Sequence, residues 1–117
     1  YPLNENKIEA STVGQMENAV LCTGFPVNTD FSEERLKIFV QRIQNYKKIR
    51  LLGSAALSIV YVASGRADAY LENDIMLWDV AGGLAVANGA GCNISLNDGI
   101  KPNSFHVVVS NGMFNAA

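Results

Sequence analysis

A chain of 117 residues, 49% hydrophobic and 17% charged, carries enough apolar material for one core and too little for two. No apolar run approaches the roughly 20 residues that span a bilayer, and no basic-then-apolar leader is present, so a soluble cytoplasmic protein with no membrane partner is expected. A net charge of −2 lacks the basic field of a nucleic-acid binder, and Cys22 and Cys92, far apart and without a C-x-x-C partner, read as reduced, half-buried thiols in strands.

In chain order, residues 1–15 are polar and weakly patterned, a strand or an ordered arm. The chain opens on Tyr1-Pro2 without an initiator Met, so a processed, trimmed or partial polypeptide is expected. Residues 19–23 form a short apolar, β-prone run closed by Gly24 and Pro26, which predicts a buried strand and a turn. Asp30 or Ser32 can then cap an amphipathic helix whose apolar face is Leu36, Phe39, Val40, Ile43 and Tyr46, with Glu33 and Glu34 in its first turn and Lys47 and Lys48 near its end. This segment also holds Arg35, Lys37, Arg42 and Arg50, but the helical spacing puts the basic groups on a solvated outer face.

Residues 49–51 predict a brief strand, followed by a break at Gly53-Ser54. Residues 55–64 are apolar on every side, so this helix is expected to lie sandwiched between layers, with Gly65 closing it. The remaining elements are a strand over 67–71, a helix over 79–88 ending at Gly89, a strand over 92–95, a turn at Asn97-Asp98-Gly99 and a buried strand over 106–110. Asn93-Ile94-Ser95 matches a glycosylation sequon that nothing else supports. The alternation predicts a single α/β domain over residues 1–117, layered α-β-α, with a mixed, mainly parallel sheet.

None of the P-loop, dinucleotide, zincin or nucleophile-elbow motifs occurs. His106, the one histidine, sits in a β-branched run with no nucleophile pattern around it and reads as structural. Asp68, Glu72, Asp74 and Asp79 form the acidic cluster. Of these, Asp79 stands at a helix start, where backbone N–H groups and the helix dipole keep a carboxylate ionised. That state suits a helix cap and a hard divalent cation alike, and local physics alone favours the cap.

The longer string weighs the other way. Gly53-Ser54-Ala55-Ala56-Leu57, the run from Tyr61 to Tyr70, Glu72, Trp78-Asp79-Val80-Ala81-Gly82-Gly83 and Gly89-Ala90-Gly91 together resemble the C-terminal half of the inositol monophosphatase family, lithium-sensitive, magnesium-dependent phosphomonoesterases. The resemblance implies the second αβ domain of that fold. It also implies that Asp79, in the W-D-x-A-x-G motif, is a magnesium ligand, that Glu72 contacts a substrate hydroxyl, and that Gly53, Ser54 and Ala55 line the substrate pocket. Trp78 would pack to fix the loop.

The implied reaction is attack of metal-activated water on phosphorus, with no phosphoenzyme. Inositol monophosphate or a related sugar or polyol phosphate is the implied substrate, and a homodimer the implied assembly. The family's D-P-I/L-D-G-S/T signature is not in the chain, so the N-terminal metal-binding half is expected to be absent and the chain alone nearly inactive. A catalytically incomplete binding or assembly module, or the fructose-1,6-bisphosphatase or nucleotide 3'-phosphatase branches, are the alternatives.

Overall fold

The computed structural model describes residues 2–3, 6–7, 9–24, 33–99, 102–114 and 116. The elements are β1 (Pro2–Leu3), β2 (Asn6–Lys7), a 3-10 turn (Met16–Asn18), β3 (Val20–Thr23), α1 (Glu33–Ile43), β4 (Lys48–Leu51), α2 (Ala55–Ala63), β5 (Ala69–Met76), α3 (Leu77–Gly89), β6 (Asn93–Asp98) and β7 (Ser104–Ser110). The arm expected at the start holds the β1–β2 pair. Pro26, Asp30 and Ser32, named above for a turn and a cap, lie outside the described residues.

Five strands form one sheet in the order β4-β3-β5-β7-β6. β3 pairs in parallel with β4 and β5, while β7 runs antiparallel to β5 and β6. All strands but β7 therefore point one way, which is the mixed, mainly parallel α/β sheet read from the sequence.

Side chains alternate across this sheet, as strand geometry requires. Cys22, Tyr70, Val107 and Val109 face α2 and α3, where they meet Ile59, Val62, Ala63, Val80 and Ala87. Leu21, Ala69 and Leu71 face the other way, onto Tyr46 and Ala116, with Ile43 at the end of α1 and Phe114 packed alongside. Both cysteines are buried and unpaired. They are thus more deeply buried than the half-buried thiols expected, and only Cys22 lies in a strand, β3, Cys92 standing just ahead of β6; burial pushes the Cys22 thiol up to about 11.

The helix ends follow local rules. Ser54 caps α2, its Oγ accepting the Leu57 N–H at 3.1 Å. At the far end Arg66 N–H donates to Tyr61 O at 2.9 Å and Gly65 N–H to Val62 O at 3.2 Å. This is a Schellman stop, made by Gly65 at φ 79°. Gly83 sets the approach of the two helices, since a Cβ there would lie 3.1 Å from Ile59 Cβ and 3.3 Å from Ala56 O.

Several expectations need correcting. α2 is not sandwiched by the described residues: Ser58, Ile59, Val62 and Ala63 are buried against the sheet, but Ala56 and Leu57 are exposed. α1 ends at Ile43, so Lys47 lies in the following turn, Lys48 opens β4, and Arg42 is the basic residue of its last turn. Leu36 and Val40 on its apolar stripe are exposed. α3 begins at Leu77, two residues earlier than read, because the Asn103 carbonyl accepts the Leu77 N–H at 3.3 Å and starts the helix without a polar cap.

β5 continues past Leu71 to Met76 through a β-bulge between Glu72 and Ile75. Asp74 adopts φ 55° there, and its N–H donates to His106 Nδ1 at 3.3 Å. His106 thus helps to hold the bulge. Asn97 and Asp98 are not the turn but the last residues of β6, with Gly99 N–H donating to Ser104 O at 2.9 Å beyond them.

Candidate active site

Three parallel strands lie side by side here, β3 and β4 ending at Thr23 and Leu51 while β5 runs on past Leu71. Thr23 is in register with Leu51 of β4 and Leu71 of β5. The next residues along, Gly24, the Leu52–Ala55 link into α2, and Glu72 of the continuing β5, therefore lie at the carboxyl end of β3 and β4, the side where open α/β sheets place their ligands. Gly53 and Ser54 are exposed and Ala55 is half-buried at this end. Gly53, at φ 74°, makes the turn between strand and helix.

Glu72 is only 8% exposed. Tyr70, two residues earlier on the same face of β5 and fully buried, donates its hydroxyl to Glu72 Oε1 at 2.9 Å. Gly24 leaves room for the same oxygen: a Cβ there would stand 2.7 Å from Oε1. Burial pushes the Glu72 carboxyl above its ordinary 4.5, the Tyr70 hydrogen bond acts against that rise, and the Asp79 charge adds to it. Burial is also the main force raising the Tyr70 hydroxyl, followed by the charge of Glu72, with Asp79 contributing less. Asp79 thus acts electrostatically on both groups.

Asp79 is the third residue of α3, in its first turn and exposed. It is not the cap: Met76 holds that position and makes no side-chain cap bond. Among the described residues no hydrogen bond or ion pair engages the Asp79 carboxylate, so it is available to a ligand while the helix N-terminus favours its charge. Trp78, expected to pack and fix the loop, is 69% exposed. Ala56 and Leu57 of α2 and Leu77, Ala81 and Ala85 of α3 are exposed as well.

The acidic cluster does not hold together. Asp68 lies at the other end of β5, buried, with Oδ2 accepting the Val20 N–H at 2.7 Å and Oδ1 accepting the Ser11 hydroxyl. Among the described residues no three His, Cys, Asp or Glu side chains converge to hold a metal. An open cavity of about 500 Å³ lies away from this end, lined by Asn93, Ile94, Ser95, Val108, Ser110, Phe114 and Ala116. Tyr70 and Gly24 were not singled out from sequence, although the period-two alternation of β5 puts Tyr70 on the face of Glu72.

The raised Glu72 carboxyl has a consequence for stability. The folded state binds this proton more tightly than the unfolded chain, so the contribution is fully present below pH 4.5 and is lost as pH rises through the folded-state value. Glu72→Gln is therefore expected to resist urea better than the parent at neutral pH and to lose less stability as pH rises from 4.5. Parallel pH–stability curves for parent and variant would contradict a perturbed Glu72.

The chain belongs to the inositol monophosphatase family, whose family model matches residues 2–116. It is 41% identical over 90 residues to the Nus factor SuhB of Xylella fastidiosa, covering 76% of this chain and 33% of that protein. It is 34% identical over 113 residues to the fructose-1,6-bisphosphatase/inositol-1-monophosphatase of Thermotoga maritima, covering 94% of this chain and 42% of that one. The solved structure of Mycobacterium tuberculosis SuhB superposes with a TM-score of 0.75 at 30% identity, over 87% of this chain and 40% of its own. The chain thus spans less than half the length of each of these relatives.

Proposed function

We propose that this chain supplies one wall of a magnesium-dependent phosphomonoesterase site acting on inositol monophosphate or a related sugar or polyol phosphate. The observation that carries the reading is the exposed Asp79 carboxylate in the first turn of α3, engaged by no hydrogen bond or ion pair among the described residues, whose charge adds to the rise of the buried Glu72 carboxyl. Asp79 fits magnesium as one ligand, being an ionised oxygen donor at a helix N-terminus. A bound magnesium cluster would supply an activated water and neutralise phosphate charge. Glu72 would hold a hydroxyl of the substrate alcohol, and Gly53, Ser54 and Ala55 would line its pocket, with the Ser54 hydroxyl already engaged as the α2 cap.

One carboxylate does not make a multi-metal site. On this reading the other ligands would come from an N-terminal half outside this sequence, which would pack on the exposed apolar residues of α2 and α3. The two-activity name of the Thermotoga relative supports a sugar or polyol phosphate as substrate. Lithium sensitivity, a homodimer and a cytoplasmic setting belong to the same reading. No helix among the described residues is long and apolar enough to cross a membrane.

Phosphate release from inositol 1-phosphate by the polypeptide carrying this chain tests the proposal. Release is expected with magnesium and should vanish with chelator. A second reading draws on the Xylella relative, named a Nus factor: a binding or assembly module of the same fold without catalysis. Absence of magnesium-dependent release from the complete polypeptide would select it.

A further inference from the structure

We propose that Tyr70 is a positioning residue which, in the space left by the bare Gly24, holds one oxygen of Glu72 and leaves the other to meet the substrate's hydroxyl. The proposal rests on the reading of Glu72 as the hydroxyl contact. Its geometry stands independently of that reading. Tyr70 is fully buried, and its hydroxyl donates to Oε1 at 2.9 Å. Gly24, just past the end of the neighbouring β3, leaves space for the same oxygen, since an added Cβ there would lie 2.7 Å from Oε1 and 3.8 Å from Oε2.

A glutamate side chain has three rotatable bonds and would otherwise sample many positions. Here it emerges from a strand just ahead of a β-bulge, one oxygen is bonded to a ring that the core holds rigid, and the missing Cβ of Gly24 leaves just enough room. The buried phenol is also a poor anion, so it stays a donor and Oε1 stays the acceptor. The hydrogen bond therefore selects one orientation of the carboxylate before any substrate arrives, and preorganisation of this kind strengthens recognition by removing an ordering cost.

The test compares two substrates of the magnesium-loaded polypeptide carrying this chain: inositol 1-phosphate, which offers ring hydroxyls, and p-nitrophenyl phosphate, which offers none. Tyr70→Phe removes only the hydroxyl. It is expected to lower kcat/KM about tenfold on inositol 1-phosphate, the scale of a hydrogen bond to a charged group, and to leave p-nitrophenyl phosphate within about twofold. Glu72→Gln should show the same selectivity, and the double variant should be no worse than the poorer single one, because both act through one contact. Gly24→Ala, which must push the carboxyl aside, should reproduce the selective loss with the tyrosine intact, and it carries the test if Tyr70→Phe does not fold.

Equal losses on both substrates for Tyr70→Phe, or additive losses in the double variant, would overturn the positioning role. A selective loss for Glu72→Gln with Tyr70→Phe and Gly24→Ala at parent level would overturn the clamp alone. No effect of Glu72→Gln on either substrate would overturn the hydroxyl contact and the clamp with it.

Discussion

Asp79→Asn is expected to cut magnesium-dependent phosphate release by the complete polypeptide about a hundredfold, a loss of about 3 kcal/mol of transition-state stabilisation. Asparagine keeps the size and one oxygen of aspartate but gives up the negative charge that a hard cation requires. The fold should not change. Asp79 is exposed on the first turn of α3 and is not the residue that caps it, so losing its interaction with the helix dipole costs at most about 1 kcal/mol. Circular dichroism and the thermal midpoint would confirm an intact variant. Full magnesium-dependent turnover in a folded Asp79→Asn protein would remove Asp79 from the metal site.

Asp68→Ala should do the reverse. Its carboxylate is buried, accepting the Val20 N–H at 2.7 Å and the Ser11 hydroxyl. Ser11 in turn receives Asn111 Nδ2 at 2.9 Å, and the same amide nitrogen reaches Val13 O at 2.9 Å. This network ties the segment ahead of β3 to β5 and to the chain beyond β7. Deleting the carboxylate leaves buried donors without their acceptor, at a cost of about 3 kcal/mol, which lowers the midpoint in scanning calorimetry by about ten degrees. The magnesium response per folded molecule should be unchanged. A normal midpoint with a lost magnesium response would place Asp68 in the metal cluster after all.

The contrast between these two aspartates shows what the residues disclose and what they conceal. Asp68, Glu72, Asp74 and Asp79 look like one acidic cluster along the chain. A strand advances about 3.3 Å per residue, so Asp68 and Glu72 stand about 13 Å apart along β5. Only the pairing of β3 with β5 shows that Asp68 is anchored to the start of β3 while Glu72 lies just past its end.

Apolar runs made β3 and β7 legible, and the small-residue patterns located α2 and α3. The full length of β5 was hidden because Glu72, Asn73 and Asp74 interrupt its apolar pattern, while the bulge that continues the pairing depends on His106 from another strand. The start of α3 was hidden for a similar reason, since its first N–H is met by a backbone carbonyl from the β6–β7 connection and not by a polar cap. Asp79 and Glu72 were visible through the motifs they share with a known family. Tyr70 was obscured because an apolar-looking strand residue discloses its function only when the partner of its hydroxyl is known. The exposure of Trp78 follows from the company α2 and α3 keep in space, which residue types alone do not specify.

The most direct test is calorimetric titration of magnesium into this 117-residue chain by itself, alongside an assay of phosphate release from inositol 1-phosphate. If the chain is one wall of a site completed by other carboxylates, binding should be weak, without a defined stoichiometric step, and hydrolysis should be negligible. Tight stoichiometric magnesium binding with turnover by the isolated chain would contradict that.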